Sequence, residues 1–572
     1  MHDGYAYCEI RLLFFYLKSL LRKIIFLRMT KNNEWWRGCV MYQVYPRSYC
    51  DANGDGIGDL RGIISKLDYI ASLGVDAVWI SPFFKSPMKD FGYDVSDYRD
   101  VDPIFGSIQD FLELLKEAHR LGLKILIDQV WSHTSDQHRW FKDSRQCRSN
   151  HMADWYIWAD PQPDGTPPNN WMSYQVGPAW TWDGRRRQYY LHHYIPEQPA
   201  LNLRNPNVRQ EIKNTAAFWL DLGVDGFRVD ALHTHIYDKD LRSNPARAGN
   251  NFNNSRDVPD SNPMSFQDRI YTVNTPENIV WVEEIREHIN KWEGRCLLAE
   301  VGGDNTEKDA VDYCQTDKRM HMAYSYGLVK SDMSKKCLTK TIGKVEEIID
   351  DGWMCWSIGN HDIKRVLNRV NPHYADKAAL AKYLMALLLS LRGTPCIYQG
   401  EELGLPQAEL AFEDLVNPFD ISLYPDHMGS DGARTPMPWM KTAPNAGFSN
   451  TTHKTWLPIP PGHVALAADR QEKDEQSILN EYKRFIAWRK GQDILLTGAF
   501  EFVEADGDIL AYMRSLDDKK MLCVFNTSDS PASWNYDVDG LEAMEEVNHN
   551  ASYDGKGFEL APYGYGFFRL TK

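Results

Sequence analysis

The chain has 572 residues, of which 43% are hydrophobic and 25% are charged, and this composition is typical of soluble globular proteins. A chain of this length exceeds one domain core, so we expect two or three domains. The formal net charge of -15 argues against nucleic acid and anionic membranes as partners of the folded body.

The first 33 residues predict an N-terminal extension rather than a domain. Residues 11–28 are apolar but are interrupted by three basic side chains, so we expect no stable membrane span. No small-residue cleavage site follows, which argues against a secretory signal. We favour translation starting at Met29, and the alternative is a helix that lies on a membrane surface.

From about residue 39, apolar strand-like segments alternate with helical ones. In "LRGIISKLDYIASLGVDAVWIS", Leu and Ile recur at helical spacing and Gly74 ends the helix before the next apolar segment. Strands that are apolar on both faces, alternating with helices, predict an α/β fold with a parallel sheet. Eight such units favour a (β/α)₈ TIM barrel over an open doubly wound sheet. The predicted strands are 40–45, 77–81, 124–129, 226–230, 297–301, 321–327, 355–359 and 395–399.

Two segments interrupt this alternation. Residues 131–205 are irregular and rich in aromatic side chains, which predicts a subdomain, here called subdomain B, inserted after strand 3. After about residue 495 the pattern becomes alternating and poor in helices, which is typical of an antiparallel β domain. The predicted domains are the extension 1–33, the catalytic barrel 34–130 and 206–494, subdomain B 131–205, and a C-terminal β-sandwich-like domain 495–572.

The ten cysteines contain no CxxC pair, and several lie in apolar strand-like segments. We interpret them as reduced thiols of a cytoplasmic protein rather than as a disulfide framework or a zinc site.

The short stretch "DANGDGIGD" (51–59) predicts a metal-binding loop. Its side-chain oxygens lie at nearly alternate positions with glycines between them, and such hard ligands suit Ca²⁺, with Mg²⁺ as the alternative. A turn rich in Asx caps is the competing interpretation. The predicted ligands are Asp51, Asn53, Asp55 and Asp59 through their side chains and Ile57 through its carbonyl oxygen.

Polar side chains follow the ends of several predicted strands. In barrels of this type the C-terminal strand ends carry the functional groups. Acids from different strands would repel each other at one mouth, which favours a functional role over loop capping. These strand-end residues are Asp128, His133, Arg228, Asp230, Glu300, His361 and Asp362.

Several motifs together resemble glycoside hydrolase family 13, the α-amylase superfamily. They are "MYQVYPRSYCDANGDGIGDLRGI", "DGFRVDAL", "LLAEV" and "GNHD". Within that family, "NGDGIGDLRGI", "FGYDVSDY" and "DGARTPMPW" look like the α-glucosidase and oligo-1,6-glucosidase branch. The resemblance runs in order from about residue 34 to the C-terminal domain.

The resemblance implies a retaining mechanism, in which two carboxyl groups lie roughly 5 to 5.5 Å apart on opposite sides of the scissile bond. By this resemblance Asp230 is the nucleophile, Glu300 is the acid and then the base, and Asp362 binds sugar hydroxyls. Arg228, two residues before Asp230 on one strand, faces the same side and keeps Asp230 ionised.

The family also implies the residues that bind glucose. His133 and His361 resemble its hydrogen-bonding histidine pair, and Asp90 and Tyr93 match residues that contact the non-reducing sugar. The remaining implied contacts are Tyr194, Gln198 and Arg434.

Two positions depart from the family pattern. Ser430 stands where many relatives carry a further Arg before Asp431, and this places the role of Arg434 in question. Ser132 stands where much of the family has Asn.

Together these features predict an exo-acting α-glucosidase, a monomer or homodimer that acts on disaccharides or small oligosaccharides. Ala231, directly after the proposed nucleophile, favours α-1,4 over α-1,6 linkages because a β-branched side chain there would narrow the next sugar site. The alternatives are an oligo-1,6-glucosidase, a glucosyl transferase or isomerase of the sucrose isomerase or trehalose synthase type, a catalytically silent subunit of a membrane transporter, and a secreted endo-acting amylase.

Overall fold

A computed structural model describes residues 34–175, 177–248, 262–425 and 429–571. The predicted extension 1–33 therefore lies outside the described residues. Across the described ranges, the helices are all too short or too polar to cross a membrane.

Eight parallel strands form the central sheet, and each predicted strand is present with its ends shifted by no more than two residues. They are β1 Met41–Val44, β2 Ala77–Ile80, β3 Lys124–Gln129, β4 Gly226–Val229, β5 Cys296–Val301, β6 Met322–Ser325, β7 Cys355–Ser357 and β8 Thr394–Tyr398. Their order in the sheet is β6-β5-β4-β3-β2-β1-β8-β7, and a bridge between Ala323 and Met354 joins the two outer strands. The predicted (β/α)₈ barrel is confirmed.

The helix Ile108–Arg120, between β2 and β3, illustrates why the helices form. Ser107 and Asp110 form a reciprocal capping box at its start, and His119 and Arg120 lie in its last turn. Phe111, Leu114, Leu115 and Ala118 form the buried stripe that packs on the barrel. The other α-helices span Leu60–Ile64, Leu67–Ser72, Arg139–Ser144, Pro206–Asp221, Pro276–Ile289, Thr306–Cys314, Tyr326–Val329, Lys335–Ile348, Val366–Val370, Lys377–Ser390, Pro418–Ser422, Ser430–Ala433, Pro461–Ala465, Ala468–Gln471, Ile478–Lys490 and Asp493–Thr497.

The segment after β3 carries its own small antiparallel sheet, with Gln188–Leu191 in the middle, between Trp158–Ala159 and Trp180–Asp183. A seven-stranded antiparallel sheet follows the last helix, and its long final strand pairs with four others. This confirms the antiparallel C-terminal domain. Its strands are Ala499–Val503, Ile509–Leu516, Lys519–Asn526, Ala532–Asn535, Leu541–Ala543, His549–Tyr553 and Gly557–Leu570.

The described cysteines are all free thiols, and most are buried. Four of them, Cys39, Cys296, Cys355 and Cys396, share one apolar cluster with Met41 at the N-terminal end of the barrel. That end therefore serves packing, and the polar strand-end residues lie at the opposite end. The cytoplasmic location and the monomeric or dimeric state stay predictions.

Candidate active site

A cavity of about 190 Å³ lies at the C-terminal end of the barrel. Asp230 directly follows β4, Glu300 lies in β5 and Asp362 follows β7, and all three reach this cavity. Its wall consists of Asp90, Tyr93, His133, Tyr174, Gln175, Tyr194, Asp230, Ala231, His233, Glu300, Tyr326, Lys330, Asp362, Ile363, Asn417, Phe419, Ser430 and Arg434.

A second, larger cavity of about 330 Å³ lies between subdomain B and the segment after β4. Its wall contains Asp154 and Asp238, and Arg242 forms a salt bridge of 2.6 Å with Asp238. The three strand-end acids are not part of that wall. The smaller cavity is therefore the candidate active site.

Arg228 connects the acids beneath the cavity floor. Its Nη1 donates to Asp230 Oδ1 (2.6 Å) and to Asp128 Oδ1 (2.9 Å), and its Nη2 lies 2.6 Å from Glu300 Oε2. The Arg228 side chain is 1% exposed. One guanidinium fork thus holds the two predicted catalytic carboxyl groups close together, because its geometry is rigid.

This single cation faces three carboxyl groups, so the acids titrate together. Burial raises the pKa of Asp230 well above its usual value, and Glu300 and Asp128 add to the rise. Burial also raises the pKa of Asp128, to about 6. For Glu300 the opposing contacts prevail over burial: Arg228, the Tyr326 hydroxyl and the Ala231 N–H lower its pKa. Arg228 therefore opposes the effect of burial on the pKa of both catalytic acids.

Ala231 adopts a left-handed backbone conformation directly after the strand, with φ 42° and ψ 42°. This conformation is strained for a residue with a Cβ, and such strain is frequent at functional sites. The turn directs the Ala231 N–H to Glu300 Oε2 at 2.9 Å. The backbone therefore fixes the position of the acid that lies beside the predicted nucleophile.

Arg434 lies where the resemblance places it, despite the Ser430 departure. Its Nη2 donates to Asp362 Oδ1 at 2.9 Å, and its Nε donates to the carbonyl oxygen of His361 at 2.6 Å. Arg434 is thus the cation that orients Asp362, whose side chain is 36% exposed towards the cavity.

Asp90 lines the cavity, and burial raises its pKa to about 7. Gln198 donates from Nε2 to Asp90 Oδ2 at 2.8 Å but does not line the cavity. Gln198 therefore orients Asp90, and its own role in binding sugar stays a prediction. Tyr194 lines the wall and stacks on Tyr174 at 5.2 Å.

His361 was predicted to bind sugar, but it is fully buried and does not line the cavity. Gln43 Nε2 donates to His361 Nδ1 at 2.8 Å. His361 Nε2 therefore carries the ring proton and donates to the Tyr93 hydroxyl at 2.7 Å. Tyr93 in turn donates to Asp128 Oδ2 at 3.1 Å. The imidazole of His361 therefore contacts Tyr93 directly, and its role in binding sugar stays a prediction.

His133 does line the cavity, and burial lowers its pKa to about 4, so its ring is neutral at physiological pH. The Ser132 hydroxyl donates to His133 Nδ1 at 2.8 Å, and His133 Nε2 donates to the Tyr93 carbonyl at 3.0 Å. The Ser132 departure therefore supplies the hydrogen bond that fixes the imidazole tautomer.

Sequence reasoning missed part of the wall. Tyr324 and Tyr326 are two residues apart at the end of β6, and "AYSY" could have indicated two tyrosines on one face. Other missed residues lie in loops or short helices that no periodic pattern marks. They are Tyr174, Gln175, His233, Lys330, Ile363, Asn417 and Phe419.

In the predicted metal loop, the acids bind backbone amides. Asp51 accepts from the N–H groups of Gly54 and Gly56, and Asp59 accepts from Ala52, Asn53 and Gly62. Asp55 accepts from the N–H of Ile57 at 2.8 Å. The described residues contain no His, Cys, Asp and Glu cluster of three or more that could hold a metal ion.

The loop nevertheless has oxygen chemistry that suits a hard cation. Asp51 and Asp59 are almost fully buried. Burial raises the pKa of Asp59, and the nearby Asp51 carboxyl group raises it further. Carboxylate oxygens keep a second lone pair when they accept one N–H bond. The donor types fit Ca²⁺, whereas the side chains are not gathered around one point, so calcium binding stays a prediction.

Thermal unfolding tests this prediction. Removal of divalent metal by a chelator is expected to lower the melting temperature and to leave turnover of the folded protein largely unchanged, because the loop lies away from the acids. Restoring Ca²⁺ or Mg²⁺ separately identifies the ion. An unchanged melting temperature would favour the Asx-turn interpretation, and a loss of turnover alone would exclude a structural ion.

Comparisons with known proteins agree with this geometry. The family model of the α-amylase catalytic domain matches residues 43–498, and the model of the maltogenic amylase C-terminal domain matches 500–566. A probable α-glucosidase of Rhizobium meliloti is 46% identical over 94% of this chain and 98% of its own length. An oligo-1,6-glucosidase of Heyndrickxia coagulans is 36% identical over 94% of this chain and 100% of its own length.

Solved structures give the same fold. The α-glucosyl transfer enzyme XgtA superposes with a TM-score of 0.91 at 45% identity, covering 94% of this chain and 99% of that one. The trehalulose synthase MutB of Pseudomonas mesoacidophila superposes with a TM-score of 0.83 at 31% identity, covering 94% and 99%.

Proposed function

The chain belongs to the α-amylase family of glycoside hydrolases, and on that premise we propose that it is a retaining α-glucosidase that releases glucose from the non-reducing end of short α-glucosides. The observation that carries the proposal is the Arg228 fork beside one small cavity. Its Nη1 lies 2.6 Å from Asp230 Oδ1, and its Nη2 lies 2.6 Å from Glu300 Oε2. Two carboxyl groups held this close suit a double displacement.

In the first half-reaction, an Asp230 carboxylate oxygen attacks the anomeric carbon as the bond to the glycosidic oxygen breaks. Glu300 gives its proton to that oxygen, and a covalent β-glucosyl ester forms on Asp230. In the second half-reaction, Glu300 takes a proton from water, and the water oxygen displaces Asp230 from the anomeric carbon. Asp362 binds sugar hydroxyls and stabilises the oxocarbenium-like transition state with its negative charge.

This chemistry needs an ionised Asp230 and a protonated Glu300. Positive charge that develops at the anomeric carbon favours ionised Asp230, and it moves the proton of the coupled pair towards Glu300. Arg228 contacts both carboxyl groups. It therefore keeps one ion pair whether the proton is on Asp230 or on Glu300. The acid and base roles are therefore set by the substrate as well as by the protein.

The polar wall of the cavity supports cleavage at chain ends. Asp90, held by Gln198, and Asp362, held by Arg434, supply two carboxyl groups for the hydroxyls of one terminal sugar. Carboxyl groups that bind the hydroxyls of a terminal glucose favour a chain end over the middle of a polymer.

The second candidate function is glucosyl transfer or isomerisation on the same covalent intermediate. It is supported by the structural likeness to an α-glucosyl transfer enzyme and to a trehalulose synthase. Only the attacking group differs, since a sugar hydroxyl replaces water. The names of the relatives likewise include both α-glucosidase and oligo-1,6-glucosidase, and Ala231 favours α-1,4 linkages by its small side chain.

Product analysis with maltose, isomaltose, sucrose and reducing-end-labelled maltotriose tests the proposal. We expect glucose as the main product, labelled maltose as the first labelled product of maltotriose, and faster cleavage of maltose than of isomaltose. The variant Ala231→Val is expected to shift the maltose-to-isomaltose rate ratio by about 10-fold towards isomaltose.

Each other outcome selects an alternative. Trisaccharides accumulating from maltose would identify a transferase, and sucrose isomers would identify an isomerase. Faster cleavage of isomaltose by the unmodified chain would identify an oligo-1,6-glucosidase. Unlabelled maltose as the first product of maltotriose would contradict attack at the non-reducing glucose.

A further inference from the structure

The two oxygens of Glu300 have different surroundings. Oε2 lies 2.6 Å from Arg228 Nη2 in an ion pair and accepts from the Ala231 N–H at 2.9 Å. Oε1 accepts from the hydroxyls of Tyr324 at 3.1 Å and Tyr326 at 2.6 Å. A guanidinium and a backbone amide can only donate, whereas a hydroxyl can donate or accept.

These partners decide which oxygen carries the acidic proton. A proton on Oε2 would face two groups that cannot accept it, so one of those two short contacts would have to break. A proton on Oε1 leaves both contacts at Oε2 intact. Glu300 therefore exchanges its proton with the substrate through Oε1.

The two tyrosines at Oε1 are not equivalent. The Tyr324 hydroxyl accepts from Arg228 Nη2 at 3.1 Å, so it is fixed as a donor to Glu300, and its side chain is buried. Tyr326 lines the cavity, and within the described part of the chain its hydroxyl has Glu300 as its hydrogen-bond partner. Tyr326 is thus the hydroxyl that meets both Glu300 and an incoming substrate.

The backbone holds Tyr326 in this position. Tyr324 pairs with Glu300 across β5 and β6, and Tyr326 lies two residues further on, at the start of the helix Tyr326–Val329. The Ser325 side chain accepts from the Gly327 N–H and caps this short helix. A Cβ at Gly327 would lie 2.9 Å from Thr341 Cγ2 and 3.0 Å from Glu307 Oε1, so the turn has little room to move.

We infer that Tyr326 is a positioning residue that directs Glu300 Oε1 to the leaving-group oxygen and sets the acid strength of Glu300 through one hydrogen bond. This inference rests on the proposed function, because it assumes that Glu300 is the general acid. The proton moves from Glu300 Oε1 to the glycosidic oxygen as the bond to the anomeric carbon breaks, and it returns to Oε1 from water. Tyr326 keeps its own proton throughout, since burial and Glu300 raise its pKa well above the usual value.

Replacement of Tyr326 by Phe tests the inference, because it removes the hydroxyl and keeps the ring. A lost hydrogen bond to a charged group predicts a kcat/KM for maltose that is about 10- to 100-fold lower. The loss is expected to be under about threefold for 4-nitrophenyl α-glucoside, whose leaving group departs without general acid assistance. The alkaline limb of the kcat/KM profile is expected to move to higher pH, because an ionised Glu300 loses a donor.

The pH limb depends on every ionisable group around Glu300. Those groups are Asp128 in β3, Tyr194 in subdomain B, Arg228 and Asp230 in and after β4, Tyr324 and Tyr326 in and after β6, and His361 and Asp362 after β7. Tyr174→Phe is the matched control, because Tyr174 lines the same cavity and its hydroxyl accepts from Arg269 Nη1 at 2.7 Å and lies 3.2 Å from His233 Nε2. It is expected to leave the alkaline limb in place and to affect both substrates equally.

The double variant Tyr326→Phe, Glu300→Gln separates the inference from the proposed function. If Tyr326 acts through Glu300, adding Tyr326→Phe to Glu300→Gln lowers maltose turnover no further. Additive losses, or equal losses on both substrates with an unmoved pH limb, would overturn the role of Tyr326. A Glu300→Gln protein that hydrolyses maltose at the full rate would overturn the proposed function itself. Thermal unfolding of each variant verifies that it is folded.

Discussion

Asp230→Asn is expected to lower kcat for maltose by about 10⁴-fold or more, because an amide cannot form the glucosyl ester. The variant is expected to fold, since the Asn side-chain oxygen can still accept from Arg228 Nη1, as Asp230 Oδ1 does at 2.6 Å. Burial, with Glu300 and Asp128, raises the pKa of Asp230 in the unmodified protein, so a neutral side chain at this position also removes an unfavourable buried charge. Steady-state kinetics and thermal unfolding measure the two effects.

Asp128→Asn is the matched control, because Asp128 contacts the same Arg228 nitrogen at 2.9 Å and lies outside the cavity wall. It changes the charge of the cluster by the same amount and leaves the proposed nucleophile in place. We expect a partial loss of turnover, far smaller than that of Asp230→Asn. Equal losses in the two variants, or turnover above about 1% in Asp230→Asn, would contradict the nucleophile assignment.

Arg228→Met is expected to lower the free energy of unfolding by about 3–5 kcal/mol, because it leaves buried carboxyl groups without their cation. Asp128, Asp230 and Glu300 all contact Arg228, and all are buried. Turnover is expected to fall as well, since the fork no longer positions the two catalytic acids. Denaturant unfolding and kinetics measure these losses.

The loss of stability is expected to depend on pH. Without Arg228 the folded-state pKa values of all three acids rise, so these groups take up protons in the folded state at a higher pH than in the unfolded chain. The loss relative to the unmodified protein is therefore largest at neutral and alkaline pH, and it shrinks as pH falls towards 5. Burial already raises the pKa of Asp128 to about 6 in the presence of Arg228.

Arg228→Lys is the matched control, since it keeps the charge but not the planar fork that reaches both acids. We expect its unfolding free energy to lie between those of the unmodified protein and Arg228→Met. An Arg228→Met protein with full stability at pH 7 would contradict the account of the cluster.

The sequence predicted the barrel because its signals were local. Helical spacing before Gly74 and the short apolar segment after it placed the Ala77–Ile80 strand to within one residue. Strand ends in a parallel barrel meet at one edge, so Asp230 and Glu300 could be placed together without coordinates. The predicted sites of Asp90, Tyr93, His133, Tyr194 and Arg434 also lie on the cavity wall.

The sequence could not predict how deep each side chain lies. His361 lies behind Tyr93 and Gln198 lies behind Asp90, and only side-chain packing decides that order. Motif matching found the acids but not the donors around them, since Tyr326 follows a strand of only four residues. Phe419 lies in the short helix Pro418–Ser422, and Asn417 caps it. This helix is too short to carry a periodic signal.

The most direct test of the central claim is mass spectrometry of peptides from enzyme that is acid-quenched during turnover of 4-nitrophenyl α-glucoside. The account predicts one glucosyl unit on the peptide that contains Asp230, and none on that peptide in Asp230→Asn. A glucosyl unit on another acid, or steady turnover by Asp230→Asn, would contradict it.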